Sequence, residues 1–142
     1  IIGSEIDKAT KLLEEDHIYF KGSGNIMENF LKAVLYENKG DFKRAIQLLN
    51  PIMYTSHYFF AVFSRLLLIK IHLKRENRAL CKSLIESTNK FLIQNSGNPL
   101  GKEANEYVLK VFKKRIGASR DKTVLENEKV TLSVFHQYLI NG

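Results

Sequence analysis

The chain has 142 residues, of which 44% are hydrophobic and 26% charged, a composition that is ordinary for a globular domain. This length supports one hydrophobic core and excludes two large independent ones. The net charge is +7, and the basic excess lies late in the chain. Residues 1–40 hold five lysines against seven acids, whereas residues 41–142 hold seventeen basic residues against eight acids. Such an excess indicates binding to an acidic or phosphate-bearing partner, or a merely solvated basic face.

Three features of the sequence restrict the class of protein further. The single cysteine, Cys81, excludes an internal disulfide and a cysteine-based zinc site, and it favours a reducing compartment such as the cytoplasm. The most apolar run, 58–73, is interrupted by Arg65 and Lys70, so it predicts a buried helix and not a membrane span. The chain starts at Ile1 without a methionine, so we expect a fragment of a longer protein.

Apolar residues recur at helical spacing along nearly the whole chain, which predicts an all-α fold of six or seven helices. Asn25, Asp41 and Asn77 each precede such a segment and are predicted N-caps. Pro99 is placed for the first turn of a helix. The last segment also alternates like a strand near residue 132, but helical spacing resumes after it. The predicted helices are 5–15, 26–38, 42–54, 57–75, 78–94, 100–116 and 124–140.

One short pattern repeats at a fixed interval. A small residue followed three and four positions later by two branched aliphatic residues begins at Ala9, again at Ala45 and again at Cys81, 36 residues apart each time. A fixed interval of roughly 20 to 50 residues is typical of stacked helical units. The small residue allows the two helices of a hairpin to approach closely, and the aliphatic residues pack against the next hairpin.

The best-developed copy includes the segment KGDFKRAIQLLNP, 39–51. Its small residue, tyrosine, Gly-Asp-aromatic turn and alanine resemble the pattern of tetratricopeptide-type repeats, and the wider run resembles repeat regions of large bacterial proteins. The residues that carry the resemblance are Ala33, Tyr36, Gly40, Asp41, Phe42 and Ala45. The departures are His57, where the family has proline, and an interval longer than the usual period of about 34 residues.

This resemblance implies antiparallel helical hairpins stacked as a right-handed superhelix. We expect one repeat domain over 1–142, with units at 5–22 (partial), 26–57, 58–95 and 98–140 (divergent). In such repeats the first helix of each hairpin lines a concave groove that holds a peptide. The resemblance therefore predicts a mildly basic groove for an acidic protein segment, and a scaffold without enzymatic activity. The groove residues it implies are Phe30, Val34, Glu37, Asn38, Lys70, Lys74, Lys110 and Lys113.

Several alternatives stay open from the residues alone. The residues support equally the interpretation that the groove residues are ordinary solvent-facing side chains, and a further interpretation is self-association through the exposed segment 5–15. A nucleic-acid-binding or regulatory domain using the basic stretch 110–122 is the second interpretation. The four histidines are widely separated, so we predict no catalytic residue, metal or cofactor. The aromatic residues of 58–63 are interpreted as core, and Cys81 as a packing residue.

Overall fold

The computed structural model describes residues 24–99, 101–117 and 132–141. Within these residues the chain forms six α-helices and no β-strand, which confirms the all-α prediction. The helices are α1 (Gly24–Asn38), α2 (Phe42–Ile52), α3 (Tyr58–Lys74), α4 (Arg78–Gln94), α5 (Lys102–Gly117) and α6 (Val134–Asn141). The helix predicted over 5–15, with the first repeat copy, lies outside the described residues, as do residues 124–131 of the helix predicted over 124–140; the described part of that segment is helical from Val134.

The chain divides into two compact units between Arg65 and Leu66, a point inside α3. The first unit contains the α1–α2 hairpin and the start of α3, and the second contains the rest of α3 with α4, α5 and α6. The single repeat domain and the right-handed superhelix therefore stay predictions.

The turns that end α1 and α3 have the same structure, 36 residues apart. Gly40 and Glu76 both adopt left-handed backbone, with φ of 79° and 57°. In each turn this residue's N–H donates to the carbonyl three positions earlier, and the next N–H donates to the carbonyl five positions earlier, at 2.9 to 3.1 Å. This pair of bonds is the Schellman motif, which satisfies the last helical carbonyls. The repeat in the sequence is thus also a repeat in backbone structure, including the second turn, which has no glycine.

Each of these turns leads directly into the cap of the next helix. The side chain of Asp41 accepts a hydrogen bond from the N–H of Arg44 at 3.3 Å, and that of Asn77 accepts one from the N–H of Leu80 at 3.4 Å. Both caps were predicted from the sequence, and both are confirmed. A short side chain with an oxygen acceptor is needed here because the first helical N–H groups have no partner within the helix.

The repeated small residues are buried, as the pattern predicts. Ala45 and Cys81 are both 0% exposed, and the aliphatic residues four positions later, Leu49 and Ile85, are buried too. Cys81 Sγ lies 3.8 Å from the carbonyl oxygen of Ile69, so α4 packs closely on the backbone of α3. Burial also raises the pKa of the Cys81 thiol, which makes it less reactive.

The aromatic residues at the start of α3 form part of the core of the first unit. The rings of Phe59 and Phe63 have centroids 4.3 Å apart, and Phe60 contacts Phe30 of α1 with centroids 5.5 Å apart. Phe30 and Phe60 are 0% exposed. Tilted ring pairs of this kind stabilise a core beyond the burial of their area.

Two local predictions are wrong. Asn25 lies inside α1 and does not cap it, because the helix already begins at Gly24. Helix α5 begins at Lys102 and not at Leu100, and Pro99 precedes it. The cause is Gly101, whose φ of 65° is left-handed and cannot belong to a right-handed helix.

Candidate functional site

A groove of about 270 Å³ lies in the second unit between α4 and α5. Leu92 and Leu109 are buried at its base, whereas Ile93 is 63% exposed. An aliphatic side chain exposed at the edge of an apolar groove can gain stabilisation by burial against a partner. The volume is slightly below the roughly 300 to 1,000 Å³ usual for small-molecule sites, so the groove fits side chains of a bound segment better than a separate ligand.

The α5 wall of this groove is positively charged. Lys102, Lys110 and Lys113 are exposed and line it together with Glu106. Their spacing of four, four and three residues places all four side chains on one face of the helix. The opposite face of α5 contains buried residues such as Val108 and Phe112. This face thus carries three positive charges against one negative charge, next to an apolar floor.

Of the eight predicted groove residues, Lys110 and Lys113 line this groove. Lys74 is exposed on the last turn of α3. Asn38 is half-buried, and its Nδ2 donates to the carbonyl of Val34 at 2.9 Å. The remaining four side chains are at most 3% exposed; these are Phe30, Val34, Glu37 and Lys70.

Packing within the described residues buries these four side chains, and their predicted place on a groove stays a prediction. Phe30 contacts Phe60, as described above. The Lys70 ammonium donates to the carbonyl oxygen of Tyr138 at 3.0 Å and lies 3.6 Å from the centroid of the Tyr138 ring. A buried charge needs such partners because the loss of water around it is costly. Lys70 therefore attaches α6 to α3 and does not face a partner.

A second polar cluster, which the sequence interpretation missed, surrounds His136. His136 is 4% exposed; its Nε2 lies 2.7 Å from Asn105 Oδ1, and its Nδ1 lies 2.5 Å from Ser133 Oγ. With the amide oxygen as acceptor, Nε2 carries the proton and Nδ1 accepts from the hydroxyl. Burial lowers the pKa of His136 to about 4, so the ring is neutral at pH 7.

The hydroxyl in this cluster already has a structural role. Ser133 Oγ accepts a hydrogen bond from the His136 N–H at 3.2 Å, which caps the start of α6. The Ser-x-x-His spacing at 133–136 could have revealed this cluster. The side chain of an N-cap residue bonds the backbone N–H three positions later, which places Ser133 beside His136. The geometry orients α6 against α5 through Asn105, and it places a buried amide where a catalytic triad has a carboxylate.

No group of three or more histidine, cysteine or acidic side chains within the described ranges is arranged to hold a metal ion. Among the six described helices, none combines the length and apolarity that a membrane span requires. No protein-family model, curated protein sequence or solved structure matches the chain.

Proposed function

We propose that this protein is a non-enzymatic scaffold that binds a segment of another protein in the groove between α4 and α5. The observation that carries the proposal is the exposed Ile93 beside a row of lysines on α5. We expect the bound segment to contain an apolar residue flanked by acidic residues. The tetratricopeptide-like resemblance supports the same class of function, although the groove differs from the one that the resemblance implies.

Charge and shape contribute differently to this interaction. Contacts between exposed lysines and carboxylates are worth about 0.2 to 1 kcal/mol each, so they select and orient an acidic segment more than they hold it. Burial of Ile93 against an apolar side chain contributes affinity in proportion to the area removed from water. Both helices are already formed in the free chain, so binding does not require this wall of the groove to fold.

The experiment measures binding of a fluorescein-labelled short peptide with one leucine between glutamates, by fluorescence anisotropy. A second peptide replaces every glutamate by glutamine. We expect saturable binding of the acidic peptide that weakens with salt, and much weaker binding of the glutamine peptide. The Lys110→Glu/Lys113→Glu variant should lose about tenfold in affinity, since two favourable contacts become repulsive.

Matched controls lie on the same pair of helices. Lys82→Glu/Lys90→Glu makes the same change of charge on exposed residues of α4 that do not line the groove, and it should bind almost normally. Ile93→Ser should weaken binding, whereas Leu80→Ser, which changes another exposed aliphatic residue of α4, should not. Equal losses in the groove variants and their controls would refute the groove as the binding site.

The same assay addresses the nucleic-acid interpretation. Within the described part of the stretch 110–122, the Arg115 guanidinium donates to the carbonyl of Ile140, and the Lys114 ammonium nitrogen is buried. Phe112 is 0% exposed and cannot form a stacking platform for bases. We therefore expect labelled single-stranded DNA or RNA to bind more weakly than the acidic peptide. Tighter, steeply salt-dependent binding of either nucleic acid would replace the scaffold proposal.

A further inference from the structure

A second cavity, of about 330 Å³, lies where the end of α3, the start of α4 and the end of α5 meet. It is at the other end of the α4–α5 pair from the groove, and it shares no lining residue with it. Its volume is near the lower limit of roughly 300 Å³ for small-ligand sites. The cavity therefore fits a compact ligand. The side chains that carry its chemistry are His72, Glu76, Asn77, Arg78 and Arg115.

Two arginines on different helices give the cavity a cationic wall. Arg78 is the first residue of α4 and is exposed. Arg115 lies in the last turn of α5 and donates to the carbonyl of Ile140. A guanidinium has five N–H groups, so this bond leaves donors for another acceptor. Partial burial lowers the pKa of Arg115, and an adjacent anion would stabilise its charged form.

The start of α4 adds backbone donors to this wall. Asn77 Oδ1 accepts the N–H of Leu80, whereas the first helical N–H groups have no partner within the helix. The helix dipole also makes this end of α4 positive. Two guanidiniums beside the first turn of a helix of 17 residues form an arrangement that suits an oxyanion.

His72 supplies an independent sign that the cavity takes a polar ligand. This residue of α3 lines the cavity and is only 6% exposed. Its Nδ1 is buried and has no hydrogen-bond partner in the part of the chain that the structure describes. Buried polar atoms in native proteins nearly always have a partner. A rotation of the ring would bring this nitrogen to the cavity, where an oxyanion would provide an acceptor for its N–H.

We propose that this cavity binds a phosphate group, either as inorganic phosphate or as a small phosphate monoester. Arg78 and Arg115 neutralise its charge, the first turn of α4 donates backbone hydrogen bonds, and His72 contacts it from α3. Glu76 also lines the cavity, and its carboxylate opposes the anion, so affinity is limited by this side chain. This site is independent of the proposed binding of a protein segment.

The experiment titrates the whole chain with inorganic phosphate and, separately, with methyl phosphate and O-phosphoserine, by isothermal titration calorimetry. We expect saturable binding of one ligand per chain, together with NMR shifts of the amides in the first turn of α4. Comparison of the three ligands shows whether free phosphate or an ester is preferred. Arg78→Gln should weaken binding about tenfold because it removes a charge-assisted hydrogen bond from an exposed side chain.

Three further variants distinguish a built site from a general basic surface. Arg115→Lys keeps the charge and a donor for Ile140, so the fold should persist while phosphate affinity falls severalfold. Glu76→Gln should increase affinity severalfold, whereas Glu86→Gln, an exposed position on α4 away from the cavity, should not. Lys82→Gln is the matched control for the loss of a positive charge. The proposal is overturned by non-saturable binding, by equal effects of Arg78→Gln and Lys82→Gln, or by unchanged affinity in Glu76→Gln.

Discussion

Replacing His136 by glutamine should remove a large part of the pH dependence of stability between pH 7 and pH 4. Burial lowers the pKa of His136 from 6.5 to about 4, so the folded chain favours the neutral ring. The unfolded chain therefore binds this proton more readily, and the free energy of unfolding increases with pH in this range. The contribution of His136 is fully present above about pH 6.5 and is lost as the pH falls towards 4.

The size of the effect follows from the two pKa values. When the pH is low enough to protonate His136 in both the folded and the unfolded chain, the free energy of unfolding is lower by about 3 kcal/mol, at roughly 1.4 kcal/mol for each pKa unit. At pH 5 about 2 kcal/mol is already lost, because nearly all unfolded chains but few folded chains carry the proton. The structural reason is that the cluster uses a neutral ring: Nδ1 accepts from Ser133, and a proton there would replace an acceptor by a second donor.

The assay is urea unfolding, followed by circular dichroism, of the wild type and His136→Gln at pH 7 and pH 5. Glutamine keeps a donor for Asn105 but does not titrate. The wild type should be more stable at pH 7, and its advantage should shrink by about 2 kcal/mol at pH 5. Burial also lowers the pKa of His72, but that contribution is present in both chains and cancels in the comparison.

An NMR titration of the His136 ring protons measures the same pKa directly. We expect no transition of these protons between pH 7 and about pH 5.5, since the folded ring titrates near pH 4. A midpoint near 6.5 for the His136 ring would contradict the lowered pKa. A stability difference between wild type and His136→Gln that stays constant from pH 7 to pH 5 would refute it equally.

Three further predictions concern the fold. Glu76→Gly should increase the free energy of unfolding by about 1 kcal/mol and Gly40→Ala should decrease it by a similar amount, because the backbone is left-handed at both positions. A decrease for Glu76→Gly or an increase for Gly40→Ala in urea unfolding would contradict this. Cys81→Leu should destabilise by about 1 to 3 kcal/mol through overpacking, and the native Cys81 thiol should react with a thiol reagent only after unfolding. Lys70→Glu should destabilise by about 3 kcal/mol or more, since it puts an anion against the carbonyl and ring of Tyr138; a melting temperature like that of wild type would contradict the buried contact.

The helices and their caps could be predicted from the sequence because the interactions that define them are local. Asp41 and Asn77 contact N–H groups three residues away, so the residue type and its position were sufficient. The error at the start of α5 came from a backbone feature. Proline suits a first turn, but the left-handed conformation of Gly101 delayed the helix, and a sequence alone does not assign φ to a glycine.

The candidate site could be predicted only in part, because exposure depends on contacts between distant segments. Lys70 lies 68 residues from Tyr138 in sequence, and helical spacing carries no information about that contact. The resemblance implied that Lys110 and Lys113 line a groove. They line the groove between α4 and α5, whose other wall consists of α4 residues that the resemblance did not include. Ile93 was missed because an aliphatic residue at helical spacing is normally assigned to the core.

The contacts of Lys70 and Arg115 with α6 also change the interpretation of the basic excess. Both side chains donate to carbonyl oxygens at the C-terminal end of α6, those of Tyr138 and Ile140. The last carbonyls of a helix have no partner within it, and the helix dipole makes this end negative. Two cations from α3 and α5 therefore cap α6 from outside. Part of the positive charge thus stabilises the fold.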